Sequence, residues 1–203
     1  MNEDVEPIKK RNRNYGLIIL GIIVLPTLAA YIMFKTGWGI PTDTSNKGTL
    51  LEPARAIDEL TLNNQDDVLA RLVEDNKKRW RILVPVTKAC DEICQNHLYI
   101  SRQVHIRLAE KAYRVERVLL LLDPLSTDAL DNLKREHPET IMVETNIDAL
   151  NTWLKISKLA LSGENYFYLV DQEGFAMMYY DVEHKGQDLL DDVKKVLKFT
   201  YSK

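Results

Sequence analysis

The stretch Trp80-Arg-Ile-Leu-Val-Pro-Val-Thr-Lys-Ala-Cys90-Asp-Glu-Ile-Cys94 decides the fold of this chain of 203 residues. Its apolar run, Ile82–Val86, predicts a buried strand that leads into a short turn holding the only two cysteines of the sequence. A long helical pattern follows at once. Backbone N–H groups at a helix N-terminus favour a thiolate and lower its pKa. This stretch therefore predicts a site for thiol chemistry.

An apolar segment near the start of the chain, Tyr15–Phe34, contains no charged residue. A helix of about twenty apolar residues is long enough to cross the hydrocarbon core of a bilayer. A cleaved signal peptide has a shorter apolar centre that ends in small residues. This segment is longer and ends in Tyr31-Ile-Met-Phe34, so we expect a retained transmembrane helix over residues 15–34.

The charges that flank this segment predict its orientation. Four basic residues precede it, whereas only Lys35 follows closely. The positive-inside rule then places residues 1–14 in the cytoplasm and the rest of the chain on the other side. In a bacterium this describes a single-pass protein of the inner membrane with a periplasmic C-terminal domain. The four basic residues are Lys9, Lys10, Arg11 and Arg13.

The remaining composition indicates a linker and one domain. Residues 35–48 are rich in Gly, Thr, Ser and Pro, which predicts a linker, and residues 49–203 are long enough for one domain. The net charge of −3 argues against a nucleic-acid-binding protein, because such proteins carry a clustered positive excess. A single close cysteine pair in an oxidising compartment is typical of a reactive site rather than a structural scaffold.

Apolar periodicity predicts a thioredoxin-like α/β fold, with a central mixed sheet flanked by helices. Residues 49–62 are expected to be extended with a short strand at 59–62, and Val68–Val73 fits either a helix or a strand. The elements predicted beyond the cysteines are a helix reaching about Ala112, a strand at Val115–Leu122, a helix at Thr127–His137 capped by Ser126, a strand at Ile141–Thr145, a helix at Ile147–Leu161 capped by Asn146, a hairpin of Tyr166–Val170 and Phe175–Tyr180 around Gly174, and a helix at Gln187–Tyr201.

Three short motifs in this order resemble the SCO family. They are Cys90-Asp-Glu-Ile-Cys94, Leu121-Leu-Asp-Pro124, and Tyr168-Leu-Val-Asp-Gln-Glu-Gly174 with Tyr179-Tyr180. SCO proteins are membrane-anchored thioredoxin-fold proteins that help to assemble the copper site of cytochrome c oxidase. The resemblance covers roughly Thr49 to Tyr201 and implies the same scaffold.

Two departures from the family pattern affect the metal site that the resemblance implies. SCO proteins bind copper through both cysteines and a histidine shortly before the hairpin, and that position is Gly163 here. The proline that follows the second cysteine in the family is replaced by Gln95. The resemblance therefore implies an SCO-like scaffold with an incomplete metal site.

The cysteine pair itself leaves three readings open. Residues four apart on a helical turn share a face, so Cys90 and Cys94 are within reach of a disulfide and can cycle between dithiol and disulfide. Two thiolates are also soft ligands suited to Cu(I), and the third reading is a non-reactive pair. Asp91 and Glu92 would raise the thiol pKa by repulsion. We expect Cys90, at the strand end, to attack and Cys94 to resolve the mixed disulfide.

Other polar and aromatic residues receive a structural interpretation first. His97, His105 and His137 are predicted to be exposed, and His97 and His184 are the candidates for a substitute metal ligand. Trp80 and the aromatic run at 166–168 are expected to pack in the core. The acidic run Asp188, Asp191 and Asp192 is expected to form a solvated face of the last helix.

The resulting hypothesis is a membrane-anchored SCO-like protein that assists cytochrome c oxidase assembly, by thiol–disulfide exchange, by Cu(I) delivery, or by both. The expected partner is the copper-site subunit of a respiratory oxidase or another periplasmic thiol protein. Whether the chain is an enzyme, namely a thiol–disulfide oxidoreductase, is left open by the sequence. The alternative is a non-catalytic membrane-tethered interaction module. No P-loop, Rossmann glycine pattern, Ser-His-Asp arrangement or zinc-type cysteine spacing is readable.

Overall fold

The structure is a computed structural model that describes residues 5–37, 45–62, 78–157 and 163–200. It divides into two compact units, Met1–Ser45 and Asn46–Lys203. The first unit contains one long helix, α1 (Val5–Thr36). Its stretch Ile18–Thr36 has a mean hydropathy of 2.1 and no buried residue, so this helix is long and apolar enough to cross a membrane.

In the part of the chain that the structure describes, the second unit is built on a mixed sheet of six strands. The strands are β1 (Thr49–Ala56), β2 (Trp80–Val86), β3 (Val115–Leu121), β4 (Thr140–Glu144), β5 (Phe167–Val170) and β6 (Phe175–Tyr180). Their order across the sheet is β1-β6-β5-β2-β3-β4. The pairs β2–β3 and β3–β4 are parallel, whereas β5 and β6 join them as an antiparallel hairpin. The predicted central mixed sheet is confirmed.

Among the described residues of this unit, four helices cover the sheet: α2 (Glu92–Arg107), α3 (Thr127–Glu136), α4 (Ile147–Leu154) and α5 (Gly186–Phe199). Both predicted caps are confirmed. The Ala129 N–H donates to Ser126 Oγ over 3.3 Å, and the Ala149 N–H donates to Asn146 Oδ1 over 2.8 Å. Helix α4 is shorter than predicted and ends in a 3₁₀ turn, Lys155–Ser157; residues 158–162 lie outside the described part of the chain.

The apolar side chains form two clusters, one on each face of the sheet. Alternation along β2 sends Ile82 and Val84 into the cluster under α2 and α5, and Leu83 into the cluster under α4. All seven residues of β2 are buried, as expected for a central strand with helices on both faces. Trp80 and the aromatic residues 166–168 belong to these clusters, which confirms their predicted packing role.

The predicted hairpin turn is present between β5 and β6. Gly174 has a φ of +90°, a left-handed conformation that glycine adopts without a steric penalty. Asp171 Oδ1 accepts the N–H groups of Glu173 (2.9 Å) and Phe175 (2.8 Å) and so fixes the turn.

The segment before β2 differs from the prediction. The strand is β1, Thr49–Ala56, paired antiparallel with β6, and residues 57–59 form a 3₁₀ turn instead of the start of a strand at 59–62. The Ile57 side chain is 1% exposed, and its N–H donates to Gly174 O over 2.8 Å. The conformation of this segment is determined by the pairing of β1 with β6 in the distant hairpin. Local periodicity does not predict such a pairing. Val68–Val73 lies outside the described residues.

Several residues that were predicted to be exposed are buried. His97 is 0% exposed and His137 is 8% exposed, so the prediction for both is wrong. His137 Nδ1 lies 3.3 Å from Nη2 of the buried Arg117, whereas His105 is half-buried with Nε2 3.0 Å from Val115 O. Each polar ring sits on the inner side of its element, where apolar spacing alone does not reveal it.

Asp192 was assigned to a solvated face, and this assignment is also wrong. The residue is 2% exposed, and its carboxylate accepts the N–H groups of Lys47 (3.0 Å) and Gly48 (2.8 Å) and the hydroxyl of Tyr180 (3.0 Å). Helix α5 is thereby joined to the first residues of the domain. Asp191 is exposed, as predicted, whereas Asp188 is half-buried.

Candidate functional site

Cys90 and Cys94 form a disulfide at the carboxyl end of β2, with 5.0 Å between their Cα atoms. Cys90 lies in the turn between β2 and α2, and Cys94 lies in the first turn of α2. The two residues differ in accessibility, because Cys90 is half-buried, whereas Cys94 is only 4% exposed. Cys90 is therefore the more accessible sulfur of the pair.

The turn that carries Cys90 is held in an unusual backbone conformation. Cys90 has a φ of +32°, and such a conformation costs a residue with a side chain about 1 kcal/mol or more. The Cys90 N–H donates to Thr87 O over 3.1 Å, and the Lys88 N–H donates to Asp123 Oδ2 over 2.9 Å. Asp123 belongs to the Asp-Pro motif that follows β3. Its role as an anchor of the cysteine turn is one that the sequence analysis missed.

Gln95, which stands where the SCO family has proline, adds a contact of its own. Its side-chain Nε2 donates to Cys90 O over 3.1 Å, and its backbone N–H donates to Asp91 O over 2.9 Å. A proline could make neither bond, because it has no N–H group and no polar side chain. The substitution therefore fastens the cysteine turn to the start of α2.

The electrostatics at the start of α2 are set by a carboxylate. The Cys94 N–H donates to Asp91 Oδ1 over 3.0 Å, so Asp91 is the N-cap of the helix. This backbone donor is consequently not available to a thiolate of Cys90.

The position that the resemblance assigns to a third copper ligand does not accept a side chain. Gly163 is buried, and a Cβ built on it would lie 2.7 Å from Leu154 Cδ1 and 2.9 Å from Leu150 Cγ. Both leucines belong to the cluster on the opposite face of the sheet from Cys94. In the described part of the chain, no group of three His, Cys, Asp or Glu residues suits a metal ion. These residues do not fit the three-ligand copper site.

We expect the Gly163→His variant to gain no copper affinity. Its side chain would have to enter the packed cluster around Leu150, and such overpacking costs about 1–3 kcal/mol of stability. Competition with a Cu(I) chelator and chemical unfolding would measure the two effects. A variant that binds Cu(I) more tightly than the parent protein at unchanged stability would contradict this interpretation of Gly163.

His184, one of the two candidates for a substitute ligand, is engaged with Asp181. His184 Nδ1 lies 2.7 Å from Asp181 Oδ1, and the Tyr180 and His184 rings meet edge-on with centroids 5.5 Å apart. Burial favours a higher pKa for Asp181, but the hydrogen bonds from His184 and the backbone hold that pKa below its ordinary value. The structure thus pairs His184 with a carboxylate.

His97, the other candidate, lies inside the core three residues after Cys94. Its ring meets Phe167 edge-on, with centroids 4.9 Å apart. Neither ring nitrogen has a hydrogen-bond partner among the described residues. Burial lowers the pKa of His97 from 6.5 to about 4, although Asp181 and Asp91 oppose this shift. The buried imidazole is therefore neutral at pH 7.

Acidification should destabilise the protein through His97. Between pH 6.5 and about 4 the unfolded chain binds a proton at His97 that the folded chain does not, so stability falls as the pH is lowered through this window. This difference in the pKa of His97 corresponds to a loss of about 3 kcal/mol in the free energy of unfolding. Unfolding free energies of the parent and of His97→Phe at pH 7 and pH 4 would test this. We expect the parent to lose more stability than the variant between pH 7 and pH 4. Equal losses would contradict the lowered pKa assigned to His97.

The fold and the disulfide define a thioredoxin-like protein whose cysteine pair lies at a strand-to-helix turn. The sequence profile of the family described as "Transmembrane-like, thioredoxin-like, C-terminal domain" matches residues 80–200. The chain belongs to this family. Its predicted fold class is thereby confirmed. No curated protein matches the sequence.

Solved structures of Sco proteins are among those to which the chain is similar. Copper-bound ScoI of Arabidopsis thaliana is 17% identical, with a TM-score of 0.49, over 63% of this chain and 89% of that one. Copper-bound yeast Sco1 is 16% identical, with a TM-score of 0.49, over 61% and 80%. A thiol:disulfide interchange protein from Bacteroides sp. is 18% identical, with a TM-score of 0.46, over 74% and 90%. Likenesses at this level carry no argument about function.

Proposed function

We propose that the chain is a membrane-anchored thiol–disulfide exchange protein that works through Cys90 and Cys94. The observation that carries this proposal is the disulfide itself, which joins a half-buried and a buried cysteine at the carboxyl end of the central strand. In this arrangement a partner can reach the sulfur of Cys90, and the buried sulfur of Cys94 lies next to it. The helix α1, which is long enough to cross a membrane, supplies the anchor.

The two cysteines have different roles in this proposal. In the reduced protein Cys90 attacks a disulfide of the partner and forms a mixed disulfide with it, and Cys94 then attacks Cys90 and releases the partner as a thiol. The partner gains two electrons and the protein regains the disulfide. Accessibility supports this division, because Cys94 is 4% exposed and cannot meet a bulky partner directly.

The proposed client is the copper-site subunit of a respiratory oxidase, with a second periplasmic thiol protein as the source of electrons. This part of the proposal rests on the three SCO-like motifs. Asp123, which belongs to one of them, accepts the Lys88 N–H and so holds the cysteine turn. Copper-site cysteines bind metal only as thiolates, so a reductase that keeps them from forming a disulfide would promote assembly. If the N-terminus of α1 is cytoplasmic, as the flanking charges predict, Cys90 and Cys94 lie in the periplasm with these two proteins.

A double variant, Cys90→Ser with Cys94→Ser, tests this function in cells that produce the oxidase. We expect oxidase activity in isolated membranes to fall strongly and to recover when an external thiol reductant is supplied during growth. A Ser126→Ala variant, which removes a helix cap far from the cysteines in sequence, controls for general destabilisation. Full oxidase activity in the double variant would favour the non-catalytic interaction module.

Delivery of Cu(I) by the same two thiolates is the second candidate for this site. The missing third ligand at Gly163 argues against tight copper binding, but two thiolates suffice for Cu(I) in principle. Anaerobic Cu(I) titration of the reduced protein, with and without both cysteines, separates the two functions. We expect weak Cu(I) binding by the parent protein and by the variant without cysteines. Tight stoichiometric binding that requires the cysteines would support copper delivery instead.

A further inference from the structure

The buried imidazole of His97 is an unsatisfied polar group in an otherwise apolar cluster. The residue is 0% exposed, and both ring nitrogens lack a partner among the residues that the structure describes. A buried polar group without a hydrogen bond costs about 1–3 kcal/mol. Native proteins keep such groups rarely, and each one calls for an explanation. The structure is that of the disulfide form, so a partner present only in the dithiol form would explain it.

Cys94 is the sulfur that helical spacing brings to the same face of α2 as His97. It precedes His97 by three residues on α2, and residues at this spacing share one face of a helix. Helical side chains lean toward the N-terminus, which directs the His97 ring over the turn that contains Cys94. Both residues are buried on the same side of the sheet, since Cys94 and the Phe167 ring that contacts His97 belong to one cluster.

Opening the disulfide changes what Cys94 can accept. A disulfide sulfur is neutral and a weak acceptor, whereas a thiolate is charged, and hydrogen bonds to charged groups are roughly twice as strong as neutral ones. When a partner thiolate attacks Cys90, the S–S bond breaks and Cys94 leaves as the thiolate. This charge appears in a site that is 4% exposed, where water supplies little stabilisation.

We propose that His97 is a positioning residue whose neutral ring N–H donates a hydrogen bond to Cys94 Sγ when the disulfide is open. The inference rests on the proposed exchange function and adds a residue to that site. His97 stabilises Cys94 as the leaving group during opening of the disulfide. In the reverse direction it holds the same thiolate for attack on the mixed disulfide.

The surroundings of His97 keep the ring in the state that this role requires. Burial lowers the pKa of His97 to about 4, and the carboxylates of Asp181 and Asp91 that raise it do not outweigh burial. The ring is therefore uncharged and carries one N–H donor at neutral pH. Asp181 lies against His184, and Asp91 accepts the Cys94 N–H. Neither carboxylate forms a hydrogen bond with the His97 ring, whose nitrogens have no partner among the described residues.

The test is the redox equilibrium of the detergent-solubilised full chain with reduced and oxidised glutathione. We expect the equilibrium constant for reduction to fall about tenfold in His97→Phe, which corresponds to a potential about 30 mV more negative. His97→Gln keeps a donor and should stay closer to the parent value. His105→Gln, on the same helix but away from the cysteines, should leave the constant unchanged. A His97→Phe constant within twofold of the parent value would overturn the inference.

The parent protein provides a second readout that needs no variant. ¹⁵N-edited NMR of the His97 ring should show its N–H resonance moving on reduction of the disulfide, with slower exchange of that proton with water. An unchanged ring spectrum would overturn the hydrogen bond even if His97→Phe failed to fold. A parent protein that never equilibrates with glutathione would instead refute the proposed exchange function, so the two failures are distinguishable.

Discussion

Replacing Cys94 by serine is expected to convert the protein into a lasting trap for its thiol partners. The half-buried Cys90 still forms a mixed disulfide, but the buried sulfur that would resolve it is gone. Resolution then depends on an external thiol, so the mixed disulfide should persist at least about 100-fold longer than in the parent protein. Non-reducing electrophoresis after acid quenching and alkylation would show the covalent complex.

Cys90→Ser is the matched control for this trap. It leaves one thiol in the protein, as Cys94→Ser does, but that thiol is 4% exposed. We expect little mixed disulfide with Cys90→Ser. Equal trapping by both variants would show that accessibility does not divide the roles, and stronger trapping through Cys94 would reverse them.

The second large effect concerns stability and comes from Asp192. Replacing it by alanine leaves the N–H groups of Lys47 and Gly48 and the hydroxyl of Tyr180 without their shared acceptor. Burial raises the pKa of Tyr180, as does the charge of Asp192, so this hydroxyl is always a donor that needs a partner. We expect a loss of about 3 kcal/mol in the free energy of unfolding.

Asp191 is the neighbouring acidic residue on the exposed side of α5, which makes Asp191→Ala the control. Its effect should stay within about 0.5 kcal/mol, as is usual for surface substitutions. Urea unfolding followed by fluorescence of the buried Trp80 and Trp153 would measure both variants. Similar losses for the two variants would contradict the role assigned to the Asp192 carboxylate.

Elements with strong local signals were predictable from sequence. The apolar run of β2, the capping residues Ser126 and Asn146, and the turn glycine Gly174 each act through their immediate neighbours, and the structure confirms them. That Cys90 and Cys94 lie within reach of a disulfide was likewise predicted from their spacing, although Cys90 lies in the turn before α2 and not on the helix as expected.

Features that depend on distant pairing were not predictable in the same way. Strand β1 is defined by its register with β6, more than a hundred residues later in the chain. Asp192 is buried because its partners come from the start of the domain, and Asp123 holds the cysteine turn across 35 residues. Periodicity reports which residues are apolar, whereas the burial of His97 and Asp192 depends on which elements pack over them.

In the proposed function, Cys90 and Cys94 act as one reversible two-electron couple. The most direct test incubates the detergent-solubilised parent protein in glutathione buffers of increasing oxidised fraction, alkylates it, and counts the modified cysteines by mass spectrometry. We expect a single transition between species with both cysteines modified and with neither, following a two-electron slope. A protein whose cysteines remain unmodified at every glutathione ratio, or react independently of each other, would contradict it.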